Sequence, residues 1–207
     1  MSTYAFNSAA LFNIARTARD RAVTSPADAV VTVIMAVAGL ESFVNEILER
    51  LRFDSHQPTV ELQRARAIAE AGNLYERTAS VQLKVQLLSV ALCGVQLDQG
   101  IQPYQDFDLL LTIRNAIAHQ RPERLSDTGG APAEGQHVLK RLAARGLLSS
   151  LPSADTIHMT FGEITEPAVA NWALDTALHM VRMVGGFLPP PVATMALMPY
   201  RGLKLIE

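Results

Sequence analysis

The chain has little of three things: cysteine, charge and aromatic side chains. Its single cysteine, Cys93, cannot form an internal disulfide, which is typical of proteins from a reducing compartment. Aromatic residues make up 6% of the 207 residues. Charged residues make up 18%, below the usual share of about 25%, and the formal net charge of −2 does not indicate a nucleic-acid binder. Because so little charge covers the surface, we expect an oligomer or a bound partner.

The sequence also lacks a recognisable targeting, membrane or metal-binding pattern. The N-terminus has no basic start followed by an apolar stretch, as a signal peptide would. The apolar stretch 29–40 is shorter than the roughly 20 residues that a membrane span needs. The histidines and Cys93 have no metal-ligand spacing. We therefore expect a cytoplasmic protein with no membrane partner, no metal and no cofactor.

What the sequence does have is helical periodicity. Apolar residues make up 49% of the chain and recur at intervals of three to four positions. This pattern predicts an all-α fold, an antiparallel helical bundle with an irregular segment at 149–163 and a long C-terminal helix. We expect one domain over 1–188 and an extended tail over 189–207, after the prolines. The predicted helices cover about 5–22, 26–51, 58–71, 78–93, 103–120, 137–145 and 166–188.

The fifth predicted helix combines apolar residues with an unusual set of polar ones. On a helical wheel, Asp108, Thr112, Asn115 and His119 form one narrow polar stripe. Asn115 and His119 are four positions apart, so their side chains can hydrogen-bond. Arg114 lies in the middle of an apolar face, about 140° round from His119. An arginine there must reach an opening or find a fixed anionic partner.

Residues Arg114 to His119, "RNAIAH", resemble the Arg-x4-6-His signature of HEPN domains, which also often have a polar residue directly after the arginine. The helix near 30–51 is similar to those families as well. It places Glu41 and Asn45 four positions apart in "GLESFVNEI", an acidic and a polar residue in an otherwise apolar helix. The resemblance covers about 28–188.

The resemblance implies a metal-independent endoribonuclease that acts as a homodimer. His119 would move the proton of the RNA 2′-hydroxyl, and Arg114 would stabilise the phosphate as that hydroxyl attacks it. Asn115 would orient His119 or hold a phosphate oxygen. The resemblance also implies a toxin, stress or defence role, with RNA and an antitoxin or another protein as partners. Candidate supporting residues are Glu41, Asn45 and Asp108.

A local excess of basic residues adjoins this motif. Between Arg114 and Arg145, six basic residues face three acids, in a chain that is slightly acidic overall. Such a segment suits a phosphate backbone. The candidate RNA-binding residues are Arg121, Arg124, Lys140 and Arg141.

Two other interpretations remain open. The chain could be a non-catalytic HEPN-like module that binds a nucleotide, RNA or protein partner. It could instead be a helical dimer without a ligand, in which the motif belongs to the core. In that case Arg114 would be sealed against Glu41, and Asn45 would be a packing residue.

Overall fold

The computed structural model describes residues 7–53, 59–71, 79–118, 133–149 and 164–206. These residues form helices without any strand, which confirms the predicted all-α fold for this part of the chain. The predicted irregular segment lies almost entirely outside the described residues. The helices are α1 (Asn7–Arg21), α2 (Ala27–Phe53), α3 (Val60–Ala71), α4 (Val81–Cys93), α5 (Gln102–Ala118), α6 (Ala133–Ala144), α7 (Pro167–Phe187) and α8 (Pro190–Gly202).

Helix α2 is at the centre of the fold. It packs against α1, α3, α4, α5 and α7. Its apolar residues lie on more than one face, so several neighbours can bury them at once. Gly39 permits a close approach of α1, because a Cβ atom there would lie 2.9 Å from the Phe12 ring. The most completely buried residues of α2 include Val33, Leu40, Phe43 and Ile47.

The apolar stretch 29–40 is by itself too short to span a membrane, but this does not extend to the whole of α2. The stretch belongs to the helix predicted over 26–51, which continues to Phe53. Its part Ala27–Leu51 is long and apolar enough to cross a membrane, by length and composition alone. Half of its most apolar window is buried inside the protein, and the core helix of a soluble bundle has the same properties. The helix therefore does not by itself indicate a membrane protein.

Local sequence signals define both ends of α4. The Ser80 side chain accepts a hydrogen bond from the backbone N–H of Leu83, as an N-cap serine does. Gly94 ends the helix in the left-handed conformation, with φ of 75°, and donates its N–H to the carbonyl of Val90. The position of α4 between α2, α3 and α7 is therefore fixed by capped ends as well as by packing.

The predicted extended tail over 189–207 is wrong. Residues Pro190–Gly202 form helix α8, so the long helix α7 is not the last one. Consecutive prolines favour an extended chain, but here they occupy the N-cap and first turn of α8, where a missing N–H costs no hydrogen bond. Near the end of α8, Tyr200 is fully buried, with its ring edge-on to Phe12 and Phe43.

A hydrogen-bond network fixes α8 to α1 and α2. The Tyr200 hydroxyl donates to Ser8 Oγ at 2.6 Å, and Ser8 Oγ donates to Glu46 Oε2 at 2.6 Å. The backbone N–H of Ser8 and the hydroxyl of Ser42 both donate to Glu46 Oε1. Burial raises the pKa of Tyr200 above its ordinary value, which keeps the phenol neutral. We call Ser8, Ser42, Glu46 and Tyr200 the Glu46 network.

Candidate functional site

Arg114 and Glu41 form an ion pair between α5 and α2. Arg114 Nη2 donates to Glu41 Oε1, so the arginine on the apolar face of α5 has its anionic partner. Neighbouring side chains of α5, such as Leu110 and Ile113, are fully buried. The pair itself is not sealed, because the Arg114 side chain is 26% exposed and that of Glu41 is 38% exposed. It therefore lies at the edge of the helix interface, within reach of solvent.

Lys84 is a second cation beside Glu41. It belongs to α4 and is only 4% exposed, yet its Nζ donates a 2.7 Å hydrogen bond to Asn45 Oδ1. Asn45 is exposed, so the lysine has a buried stem and a head that reaches toward the surface. Burial lowers the pKa of Lys84, and the negative charge of Glu41 opposes that shift. Glu41 thus interacts with two cations from two different helices.

Lys84 was not predicted as a site residue, although its place on an apolar helix face was a signal in the sequence. Lys84 is the only charged residue of α4, and it shares a helix face with Val81, Val85 and Leu88. A lysine on an apolar face must find an acceptor or reach an opening. The partner could not be predicted, because Asn45 is 39 positions away and only the packing of α4 on α2 brings the two together.

We call Glu41, Asn45, Lys84 and Arg114 the Glu41 cluster. Two cations and one carboxylate leave it with an excess of one positive charge when Lys84 is protonated. The guanidinium has further N–H donors besides the one given to Glu41, and its planar geometry suits phosphate oxygens. An arginine stays protonated at any working pH, so this cluster can bind and stabilise an anion. A proton transfer would need another residue.

The structure leaves part of the predicted site untested. His119, Arg121 and Arg124 lie outside the described residues, so nothing follows about the distance from Arg114 to His119. Asn115 is exposed on α5, as its place on the polar stripe requires. Within the described ranges, no three His, Cys, Asp or Glu side chains are grouped so that they could hold a metal ion. The structure therefore brings together Arg114, Glu41 and Asn45, and adds Lys84.

The predicted basic surface is partly neutralised. Arg141 donates to Asp108 at 3.1 Å, and Asp108 also accepts from Gln82 of α4. Arg145 pairs with Asp106 at 2.5 Å. The sequence count began at Arg114 and so omitted the acids of the first half of α5. Arg141 consequently connects α6 to α5, and a phosphate that it bound, as we expected, would compete with the carboxylate of Asp108.

Asp108 and Lys140 lie in different surroundings. Asp108 belongs to the contact between α4, α5 and α6, where it accepts hydrogen bonds from Gln82 and Arg141. Lys140 is exposed on α6, and its neighbour Arg141 points to α5. The exposed Lys140 is therefore more accessible to an external phosphate than the paired Arg141.

Comparisons of the chain with protein-family models, with curated proteins and with solved structures found no match. The HEPN resemblance therefore depends on the six residues of "RNAIAH" and on the helix that carries Glu41 and Asn45. Among the described residues, the Glu41 cluster is the strongest candidate site, because it combines charge, burial and access to solvent.

Proposed function

We propose that the chain is a HEPN-like endoribonuclease, an antiparallel helical bundle that acts as a homodimer on RNA in the cytoplasm. One observation carries the proposal: Arg114 is held by Glu41 at the solvent edge of α5, five residues before His119. Part of the Arg114 side chain stays exposed, so an external phosphate group can reach its guanidinium. The sequence motif and the position of its first residue thus support the same function.

The proposed chemistry divides between Arg114 and Asn115 of α5 and His119. A histidine side chain ordinarily has a pKa near neutrality, so His119 can take the proton from the 2′-hydroxyl or return one to the leaving 5′-oxygen. Arg114 stabilises the extra negative charge on the phosphorus centre with its remaining N–H donors. Asn115 orients the imidazole of His119 or holds a phosphate oxygen. The products are a 2′,3′-cyclic phosphate and a 5′-hydroxyl.

The homodimer supplies what a single α5 helix does not. On the helical wheel of the helix predicted over 103–120, Arg114 and His119 are about 140° apart, so one such helix would not point them in the same direction. Two copies of α5 facing each other would place the arginine of one chain near the histidine of the other. They would also provide one histidine as base and one as acid. The low charge content of the chain suits an additional buried surface.

The test is RNA cleavage in the presence of EDTA, with mapping of the product ends. We expect wild-type protein to leave cyclic phosphates and the His119→Ala variant to be inactive. His179→Ala is the matched control, because His179 is an exposed histidine on α7, outside the proposed site. Equal cleavage by His119→Ala, or no cleavage at high protein concentration, would overturn the nuclease proposal.

A second candidate function is a non-catalytic module of the same fold that binds a nucleotide, RNA or protein. It is favoured by the pairing of three arginines with carboxylates: Arg114, Arg141 and Arg145. Paired guanidinium groups bind phosphate less strongly, because the anion must compete with a carboxylate. An antitoxin or another protein could then be the partner. RNA binding without cleavage, unaffected by His119→Ala, would support this candidate over the nuclease.

A further inference from the structure

The charge balance of the Glu41 cluster depends on Lys84. Glu41 and Arg114 alone cancel each other, and a neutral ion pair has little attraction for an anion. Lys84 is close enough for its charge to act on Glu41, and it donates to Asn45 one turn further along α2. The Lys84 charge therefore offsets part of the Glu41 charge, so the cluster around Arg114 keeps an excess of positive charge.

The burial of Lys84 makes a purely structural explanation costly. Removing an ammonium group from water is unfavourable, and an apolar residue of similar shape would pack in the same place at no such cost. The lysine stem lies among buried side chains of α4, including Val85 and Leu88. Its head is directed to the side of α2 that carries Glu41 and Asn45. The position thus delivers a charge to the solvent edge of the bundle.

We propose that Lys84 is a positioning residue that makes the Glu41 cluster a binding site for a phosphate group. Asn45 holds the Lys84 ammonium group, whose charge offsets that of Glu41, and Arg114 makes the contact with the phosphate oxygens. The inference rests on the phosphate-binding part of the proposed function, but it does not require that RNA be cleaved. The ligand class is a phosphate ester or diphosphate whose charge is accessible to one guanidinium.

The experiment measures the affinity of Arg114 for inorganic pyrophosphate. The Nε–Hε signal of Arg114 is followed by NMR at neutral pH and low salt, and is assigned by its loss in Arg114→Lys. Lys84→Met keeps the length of the stem and removes the charge. Lys204→Met, at an exposed lysine after α8, is the matched control for the loss of one positive charge.

We expect Lys84→Met to weaken pyrophosphate binding about fivefold or more, as the loss of one nearby and partly shielded charge should do. Lys204→Met should bind like the wild type. Glu41→Gln should bind more tightly, and the double variant Lys84→Met with Glu41→Gln should return toward the wild-type affinity. If Lys84→Met does not fold, Glu41→Gln alone still decides, because unchanged or weaker binding in that variant contradicts the charge argument.

Two outcomes overturn the inference: an Arg114 signal that pyrophosphate does not move, or equal affinity in wild type and folded Lys84→Met. Failure of the nuclease is a separate result, since pyrophosphate binding that depends on Lys84 can persist when no RNA is cut. A titration with a 2′-O-methyl oligoribonucleotide, which cannot be cleaved by this chemistry, then distinguishes an RNA backbone from a free phosphate as the ligand.

Discussion

Two of the three glutamates of helix α2, Glu41 and Glu46, lie five positions apart in opposite surroundings. Glu46 accepts hydrogen bonds from neutral groups, the backbone and hydroxyl of Ser8 and the hydroxyl of Ser42. Ser8 and its further partner Tyr200 are fully buried. Glu41 instead faces two cations, Arg114 and Lys84, and its side chain is 38% exposed.

The difference between these two regions separates a structural polar site from a functional one. In the Glu46 network, the hydrogen bond of Tyr200 to Ser8 joins α8 to α1, and those of Ser8 to Glu46 join α1 to α2, so the network explains the packing of three helices. The Glu41 cluster combines one carboxylate with two cations, the partly exposed Arg114 and the buried Lys84, so it has an excess of one positive charge when Lys84 is protonated. Buried hydrogen-bonded groups stabilise a fold when they are fully satisfied. A partly exposed ion pair such as that of Arg114 contributes little to stability, and its cation remains within reach of a ligand.

The largest expected effect on stability is in the Glu46 network. Tyr200→Ala removes an aromatic side chain that is fully buried against Phe12 and Phe43. We expect a loss of about 3–5 kcal/mol in the free energy of unfolding, as for other large-to-small core changes. Urea denaturation measures it. A loss below about 1 kcal/mol would show that α8 contributes little to the core.

The two glutamates provide a matched pair of substitutions. Glu46→Gln disturbs acceptors of partly buried hydrogen bonds and should cost about 1–3 kcal/mol of unfolding free energy. Glu41→Gln weakens a partly exposed ion pair, which typically contributes about 1 kcal/mol or less. Denaturant titration of both variants, side by side, checks the order. Equal losses would remove the distinction between the two regions.

Tyr200→Phe tests the hydrogen bond of the same residue without a large cavity. We expect a loss of about 1 kcal/mol at neutral pH, the usual contribution of one hydrogen bond. The variant should also change how the free energy of unfolding depends on pH in the alkaline range. Because the folded protein raises the pKa of Tyr200, its stabilising contribution is complete below about pH 10 and is lost as the pH rises further, where the unfolded phenol ionises.

The pH experiment compares stability curves of wild type and Tyr200→Phe from neutral to alkaline pH. The wild type should lose stability relative to the variant above about pH 10. Taking the difference between the two proteins removes the effect of Lys84, whose lowered pKa is common to both. Parallel curves would mean that Tyr200 ionises equally easily in the folded and unfolded chains.

The smallest expected effect concerns the ion pairs between α5 and α6. The side chains of Arg145 and Asp106 are each 17% exposed, so their exposure lies between that of the fully buried Tyr200 and that of Glu41. Arg145→Ala should cost about 1 kcal/mol or less, and the loss should shrink at high salt. Arg201→Ala, at an exposed arginine of α8, is the control in thermal melts. If Arg145→Ala loses much more stability than the control, and high salt does not change that loss, packing rather than charge would explain the effect of Arg145.

Some of this structure followed from local sequence and some could not. The periodicity of apolar residues predicted most of the helices, and Arg114 was expected to need an anion because of its place on an apolar face. Helix α8 was missed because three consecutive prolines favour an extended chain, while two of them in a first turn also favour a helix. The docking of Tyr200 depends on contacts with residues near the other end of the chain.

The partners of the cations were the least predictable part. The ion pair of Arg114 with Glu41 and the hydrogen bond of Lys84 with Asn45 each join two helices. The acids that neutralise Arg141 and Arg145 precede Arg114 on α5, so a charge count over a segment of sequence missed them. Helical periodicity describes one helix at a time, whereas the charge of a site depends on several helices packed together.

The most direct test of the central claim is the affinity for pyrophosphate of Glu41→Gln and Glu46→Gln under identical conditions, reported by the Arg114 side-chain signal. Both substitutions remove one negative charge from the same helix. We predict that Glu41→Gln binds more tightly than wild type and that folded Glu46→Gln binds like wild type. Equal affinities in the two variants, or no binding by any of the proteins, would contradict the assignment of the Glu41 cluster as a phosphate site.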